Sequence, residues 1–286
     1  MVITPVRNEA ENIEATVESV IAQTSLPAEW VVVDDGSTDD TAKILNGYAQ
    51  RYPWIQVLRL PNRGFRAPGS GVIRAFNHGL SQLKTGNWDF IVKLDGDLEL
   101  PCDYFQNCLR EFNKDPSLAV GGGTICHNTS GIMRKDVDVS FHVRGATKIY
   151  RRAFWEQMGG LPPVVGWDTL DELKANMLGW TSRSFPQITV LHRRPTGAAD
   201  GAWRNWFKNG RANYITGYHP LFMTLKCLKR LLQRPYFVAA LGLFCGFISG
   251  YVRHESQIED KALIQYIRKQ QLRCLFLQDS IWKYKS

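Results

Sequence analysis

Short apolar runs and longer amphipathic runs take turns along the first hundred residues. Residues 1–4 read as the end of a first strand. Ile13, Val17, Val20 and Ile21 then recur at helical spacing through Gln23. Trp30-Val31-Val32-Val33 is a continuous apolar run of strand length, and Ile55-Gln56-Val57-Leu58-Arg59-Leu60 reads as a third strand. The spacing predicts a helix from about Val72 to Leu83, and Phe90, Ile91, Val92 and Leu94 form a fourth strand that Gly96 ends. Strands alternating with helices in this way predict a parallel sheet with right-handed crossovers, an α/β fold. In such a sheet the loops that follow the strands share one edge, and ligands bind in the crevice there.

Those loops hold the charged residues. Asp95 and Asp97 stand two apart at the end of the fourth strand, so both lean toward one point of the crevice. Two hard oxygen donors suit Mg²⁺ or Mn²⁺ held jointly with a ligand's phosphates. The alternatives are a solvated Asp-Gly turn and the Asp-x-Asp of haloacid-dehalogenase phosphatases, where Glu99 here replaces the usual Thr or Val. The second strand ends in Asp34-Asp35-Gly36-Ser37-Thr38-Asp39-Asp40-Thr41. Ser37 or Thr38 is placed to cap the next helix, which leaves Asp34 and Asp35 unexplained by capping. Asn62 to Gly71 is a glycine-rich, basic loop suited to a phosphate or ribose, or to a plain connection. It lacks the Gly-Lys-Ser/Thr ending of a P-loop.

Pro5-Val6-Arg7-Asn8-Glu9, Val33-Asp34-Asp35-Gly36-Ser37-Thr38-Asp39 and Leu94-Asp95-Gly96-Asp97 resemble, in order and spacing, the nucleotide-side motifs of glycosyltransferase family 2. The resemblance covers roughly residues 1–200. It implies the GT-A fold, a mostly parallel central sheet flanked by helices, and a nucleotide-sugar donor, usually a uridine diphosphate sugar. By resemblance, Pro5, Val6, Arg7, Glu9, Asp34 and Asp35 hold the base and ribose, Asp95 sits near the ribose and diphosphate, and Asp97 ligates the metal. Where many members read Ala-Arg-Asn-x-Gly, this chain reads Ala75-Phe76-Asn77-His78-Gly79. An arginine for the nucleotide then has to come from Arg63, Arg66 or Arg74, and Arg66 is favoured.

Past Pro101 a helix is expected to about residue 118, then a short strand at Leu118-Ala119-Val120 and a flexible turn at Gly121-Gly122-Gly123. His142 to Arg152 resembles the family segment beneath the donor sugar, which makes His142, Arg144 and Gly145 candidates for donor-sugar or acceptor contact. Gly166-Trp167-Asp168-Thr169-Leu170-Asp171-Glu172 opens a helix where the family carries a Glu-Asp pair. Counting back from Gly179-Trp180 puts the catalytic base at Asp168, with Trp167 in place of the Glu and Asp171 and Glu172 as rivals. Ile188 to Leu191 is read as the last strand. His192 at its end is a candidate second metal ligand, and Arg193 and Arg194 are candidates for the diphosphate. Residues 195–201 read as a lid over the donor.

Charge divides the chain. Residues 1–200 hold 21 Lys and Arg against 23 Asp and Glu, whereas residues 201–286 hold 14 against 4. The boundary drawn from this is a GT-A catalytic domain over 1–200 and a basic, aromatic-rich helical extension over 201–286. Tyr236 to Val252 is uncharged but short of the roughly 20 residues of a spanning helix, so a buried hairpin or an interfacial helix is expected. Basic and aromatic residues beside an apolar run suit an anionic membrane surface, and no nucleic-acid motif is present. Six cysteines show no CxxC pair and suit a reducing compartment, and no signal peptide is read at Met1. The expectation is an inverting, metal-dependent transferase, peripheral on the cytoplasmic face of a membrane. It moves a sugar to a saccharide or lipid-linked acceptor in cell-surface polysaccharide or glycolipid synthesis. The alternatives are a polyprenyl-phosphate glycosyltransferase and a non-catalytic nucleotide-sugar-binding protein.

Overall fold

The computed structural model describes residues 1–65, 69–129, 132–135, 141–194, 201–231, 233 and 235–282. The strands are β1 (Val2–Val6), β2 (Trp30–Asp34), β3 (Ile55–Arg59), β4 (Phe90–Leu94), β5 (Leu98–Glu99), β6 (Leu118–Thr129), β7 (Ile132–Lys135), β8 (Thr147–Arg151) and β9 (Thr181–His192). The helices are α1 (Ile13–Ile21), α2 (Thr41–Arg51), α3 (Ser70–Ser81), α4 (Tyr104–Lys114), α5 (Arg152–Met158), α6 (Trp167–Met177), α7 (Gly201–Ile215), α8 (Pro220–Leu231), α9 (Val238–Val252) and α10 (Lys261–Leu275). Contacts divide the chain into two units. The first is Met1–Pro163 with Leu178–Arg194, and the second is Val164–Met177 with Pro195–Ser286.

The first unit is built on one sheet in the order β3-β2-β1-β4-β8-β6-β9-β5, with β7 paired to β6. The four strands read from the apolar runs, β3, β2, β1 and β4, are parallel throughout, so their C-terminal ends share an edge. The other half is mixed: β8 runs antiparallel to β4 and β6, and β9 runs parallel to β6. Val2, Val32, Val92, Leu94, Leu45, Phe112 and Val190 are among the residues of its main core. Two buried polar side chains are paired within it: the Trp30 indole donates to Thr4 Oγ1 at 2.9 Å, and the Tyr104 hydroxyl meets Thr147 Oγ1 at 2.7 Å.

Gly121, Gly122 and Gly123 are not a turn. They lie inside β6, whose strand runs on to Thr129. A Cβ on Gly122 would stand 2.4 Å from the Thr147 carbonyl oxygen, and one on Gly123 2.7 Å from that of Ile188. The glycines let neighbouring backbone come close rather than let the chain bend. The helix expected to run to 118 ends at Lys114, before Asp115-Pro116, as the restriction on residues preceding proline requires. Ser37 and Thr38 do not cap α2. Its N-cap is Asp40, and Ser37 instead accepts from the Asn8 amide at 2.9 Å.

The second unit is helical. Leu170 and Leu173 of α6 share a core with Tyr214, Ile215, Tyr218, Met223, Cys227, Leu243, Phe247, Leu263 and Ile267. The apolar face of α6 therefore groups residues 164–177 with the C-terminal helices, although they precede the charge boundary at 200. Lys174 binds Asp260 at 2.5 Å, and Asp260 caps α10 through the Leu263 amide at 2.9 Å. Residues 238–252 form one helix rather than a hairpin. Gly242, Gly246 and Gly250 recur every fourth residue along α9 and receive α7. A Cβ on Gly246 would lie 2.0 Å from the Phe207 carbonyl oxygen, and one on Gly210 2.0 Å from that of Leu243. No described helix is long and apolar enough to cross a membrane.

Candidate active site

Three chain segments meet at the C-terminal edge of the parallel strands, and β1 lies between the other two. Pro5 and Val6 are buried at the end of β1. Beyond them Asn8 takes φ 54°, a left-handed conformation that asparagine tolerates better than most residues. The turn this makes is held by the second strand's loop: Asn8 N–H donates to Ser37 Oγ, Thr38 N–H to Asn8 Oδ1 at 2.8 Å, and Glu9 N–H to Thr41 Oγ1 at 2.8 Å. Arg7 reaches the Asp35 carbonyl oxygen and donates to Asn62 Oδ1 at 2.8 Å. The polar residues that look like helix signals thus join two loops.

Asp34 is fully buried. Its Oδ1 accepts the Ser37 amide at 2.8 Å, whereas its Oδ2 accepts no hydrogen bond among the described residues and has Arg59 Nε at 3.6 Å. Asp35 is gripped by Arg63 through both carboxylate oxygens, the bidentate geometry in which arginine exceeds lysine. Arg66 lies outside the described residues. Of the three arginines weighed for the nucleotide, Arg63 is thus the one seen bound to a motif carboxylate.

On the other side of β1, Asp97 is 5% exposed. Its Oδ2 meets His192 Nε2 at 3.1 Å and Arg194 Nη2 at 3.0 Å. Arg194 also donates to Glu9 at 2.5 Å, which ties the β1 loop to the Asp97 turn. His192 arrives by register: β9 pairs with β5, which places His192 opposite Leu98. Arg193 turns outward to Glu99 at 3.1 Å. Asp95 is held by Lys93, a 2% exposed lysine inside β4, which also donates to the Gly145 carbonyl oxygen at 2.6 Å. Gly145, one of the predicted donor-sugar residues, is thereby joined to Asp95, while His142 and Arg144 are half-buried in the same segment.

The charges tune one another. Burial pushes Glu9 up, and repulsion from Asp97 adds to that against the pull of Arg194. Burial likewise raises Asp95, against the pull of Lys93 and with the repulsion of Asp97. For Asp97 burial is outweighed by the hydrogen bond and charge of His192 and by Arg194, so its carboxyl is lowered. His192 is raised for the reciprocal reason, despite its own burial. Asp97 is therefore held as the anion by the His192 and Arg194 side chains beside it. Among the described residues, no three His, Cys, Asp or Glu side chains stand close enough together to hold an ion unaided. A cleft at the sheet's opposite edge, lined by Met1, Trp88 and Phe90 among others, presents no lysine or arginine.

Trp167, Asp168 and Asp171 belong to the second unit, on the first turns of α6. Trp167 and Asp171 are buried and Asp168 is half-buried. The Tyr218 hydroxyl is raised by burial first and then by the charges of Asp168 and Glu172. The sequence pattern does not single out Lys93, and it favours Arg66 over Arg63 and Arg74. A lysine within an apolar strand, two residues before a motif aspartate, was the available signal for Lys93.

Parallel strands that deliver paired carboxylates to one edge, extended by a mixed half-sheet, define a GT-A glycosyltransferase fold. Solved structures of that fold superpose on the chain. A GalNAc-T7 structure with UDP, GalNAc and Mn²⁺ covers 98% of it at a TM-score of 0.63 and 15% identity, over 54% of the GalNAc-T7 chain. The mannosyltransferase PcManGT of Pyrobaculum calidifontis, in complex with GDP-Man and Mn²⁺, covers 92% at 0.56 and 18%, over 77% of its own length. Residues 1–159 match the family Glycosyl transferase family 2, and the chain belongs to it. It is 35% identical over 115 residues to a chondroitin synthase of Escherichia coli, which is 40% of this chain and 15% of that protein. It is 31% identical over 129 residues to a poly-beta-1,6-N-acetyl-D-glucosamine synthase of Staphylococcus aureus, 45% of this chain and 29% of that one. The chain thus matches less than a third of the length of these relatives.

Proposed function

We propose that this protein is an inverting glycosyltransferase that moves a sugar from a nucleotide diphosphate sugar, a UDP-sugar, to a hydroxyl of a saccharide or lipid-linked acceptor in polysaccharide or glycolipid synthesis. The observation that carries this is the Glu9–Arg194–Asp97–His192 network at the sheet edge of a family 2 chain. Two acids and two cationic groups there wait on a ligand that brings negative charge of its own. The names of the relatives, synthases of polymers built from sugars, support the acceptor class.

In this reading Pro5, Val6, Arg7, Glu9, Asp34 and Asp35 receive the nucleoside, with Arg63, and Arg66 beside it in the same loop, toward the base and ribose. Asp95 lies toward the ribose and diphosphate. The donor set fits Mn²⁺ or Mg²⁺: a lowered carboxylate at Asp97 and an imidazole nitrogen 3.1 Å from it leave the remaining positions to phosphate oxygens, as hard cations with few protein ligands require. Such an ion, held by Asp97 and His192, would supply Lewis-acid stabilisation to the departing diphosphate. Arg194 already lies on the same carboxylate and adds a second positive charge for the leaving group. Asp168 takes the proton from the acceptor hydroxyl as that oxygen attacks the anomeric carbon, with Asp171 one turn along the helix and Trp167 beside it at the acceptor. The basic extension over 201–286 rests the enzyme on the cytoplasmic, inner face of an anionic membrane, where a lipid-linked acceptor is presented. A polyprenyl phosphate would be met at the same surface.

A thermal-shift screen of nucleotide sugars with and without Mn²⁺ tests the donor. A ligand of the native state raises Tm by mass action, and the rise is expected with a UDP-sugar and Mn²⁺ together. Asp168→Asn is expected to keep that shift and to lose most of the transfer. Normal turnover by this variant would remove Asp168 from the role of base.

A further inference from the structure

We infer that the outward faces of α8 and α9 form the surface by which this protein docks on an anionic lipid bilayer. The inference rests on the membrane reading above and names the residues that make the contact. Helix α9 is apolar on every side. At 100° per residue, Gly242, Leu243, Gly246, Phe247 and Gly250 occupy the side turned to α7 and the core. Leu241, Phe244, Ile248 and Val252 occupy the opposite side, at exposures of 51%, 42%, 39% and 72%. A helix apolar all round belongs in a core or in lipid, and only half of α9 has a core. Its 15 residues extend about 22 Å at 1.5 Å each, too short to span and long enough to lie in the interface.

Helix α8 repeats the arrangement. Met223 and Cys227 enter the core while Leu221, Leu225 and Leu228 stay outside, at 48%, 42% and 54% exposed. Between the two helices Phe237 takes φ 58° and turns a 63% exposed ring outward. A phenylalanine held in a left-handed conformation is strained, and here the strain presents an aromatic ring at the head of α9. Charge selects lipid over a second protein surface of mixed sign. From residue 201 to 254 the chain has eight Lys and Arg and no Asp or Glu; Arg211 is paired with Glu255, and Lys229 flanks the α8 stripe in the open. Apolar side chains with a basic border match acyl chains beneath anionic headgroups.

Co-sedimentation of the full chain with vesicles of phosphatidylcholine, alone or mixed with phosphatidylglycerol, tests this without any nucleotide. A failure here therefore leaves the donor reading intact. Binding is expected to the mixed vesicles and to weaken with salt. Leu241→Glu/Phe244→Glu is expected to abolish it, and Lys229→Gln to weaken it about fivefold. Neither set touches the sheet edge, and unchanged Tm and circular dichroism report an intact fold. Should the charged pair unfold the protein, Leu221→Ser/Leu225→Ser provides the same loss of apolar face on α8. Equal binding to both vesicle types, no binding to either, or a wild-type dimer in sedimentation that Leu241→Glu/Phe244→Glu converts to monomer would overturn the inference.

Discussion

Lys93 offers the sharpest test of how the site is held. It is 2% exposed inside β4, while the Asp95 side chain is 31% exposed. Breaking a buried pair costs about 3–5 kcal/mol because the orphaned charge stays in low dielectric. The two partners are not equally trapped. Lys93→Met leaves a carboxylate that water reaches, so about 2–3 kcal/mol is expected. Asp95→Asn leaves an ammonium that water does not reach but that keeps the Gly145 carbonyl oxygen, so about 3–4 kcal/mol is expected. The double variant leaves neither charge and is expected to fall short of the sum by at least about 2 kcal/mol. At about 2–4 °C per kcal/mol for a unit of this size, Lys93→Met lowers Tm by about 4–12 °C. Urea unfolding of the three variants measures the cycle. Additivity within about 0.5 kcal/mol would mean that Lys93 and Asp95 are not coupled, and the link from the motif to Gly145 would fall with it.

Gly246→Ala and Gly47→Ala are expected to move stability in opposite directions. Each gains about 1 kcal/mol of helix propensity, but a Cβ at Gly246 meets the Phe207 carbonyl oxygen at 2.0 Å while Gly47 has nothing within 4 Å. Overpacking of about 1–3 kcal/mol or more then makes Gly246→Ala a net loss, readable as a lower urea midpoint, and Gly47→Ala a gain. Lys226 is lowered to about 8 by burial and by Arg230, so below pH 8 the folded state carries a penalty that the unfolded chain does not. Stability from this residue rises between pH 8 and about 10.5, the ordinary lysine value. The advantage of Lys226→Met over wild type, followed by Tm against pH, is expected to shrink across that window. His192 is raised by Asp97, so its contribution to the metal-free protein is full below about 6.5 and lost as pH rises through its folded value. His192→Gln is expected to remove that decline from the Tm profile.

Much of the first unit was written locally. Apolar runs of strand length bounded by polar loops needed no partner to be recognised, and β1 to β4 fall where the periodicity puts them. The motif carboxylates were legible because each lies at the end of a strand or within three residues of it. What escaped depends on contacts between distant segments. Arg194 meets Glu9 across 185 residues of sequence, and nothing near Glu9 announces it. Gly121 to Gly123 looked like a turn because only the neighbouring Thr147 and Ile188 backbone shows why side chains are excluded. The apolar neighbours of Lys93 hint at burial, but its bonds to Asp95 and the Gly145 carbonyl oxygen need a segment about fifty residues away. In the tail, periodicity marked the apolar run of α9 but not which half is turned to α7. That division depends on three glycines whose meaning lies in another helix.

In the proposed function Asp97, with His192 and Arg194 beside it, receives the diphosphate of a nucleotide together with a divalent cation. Calorimetric titration of UDP in Mn²⁺ into wild type and Asp97→Asn measures it directly. Metal-dependent binding by the wild type, weakened at least about tenfold in the variant as expected for about 1.4 kcal/mol or more of lost interaction, is the result predicted. Equal affinity in the two proteins, or binding indifferent to Mn²⁺, would contradict it.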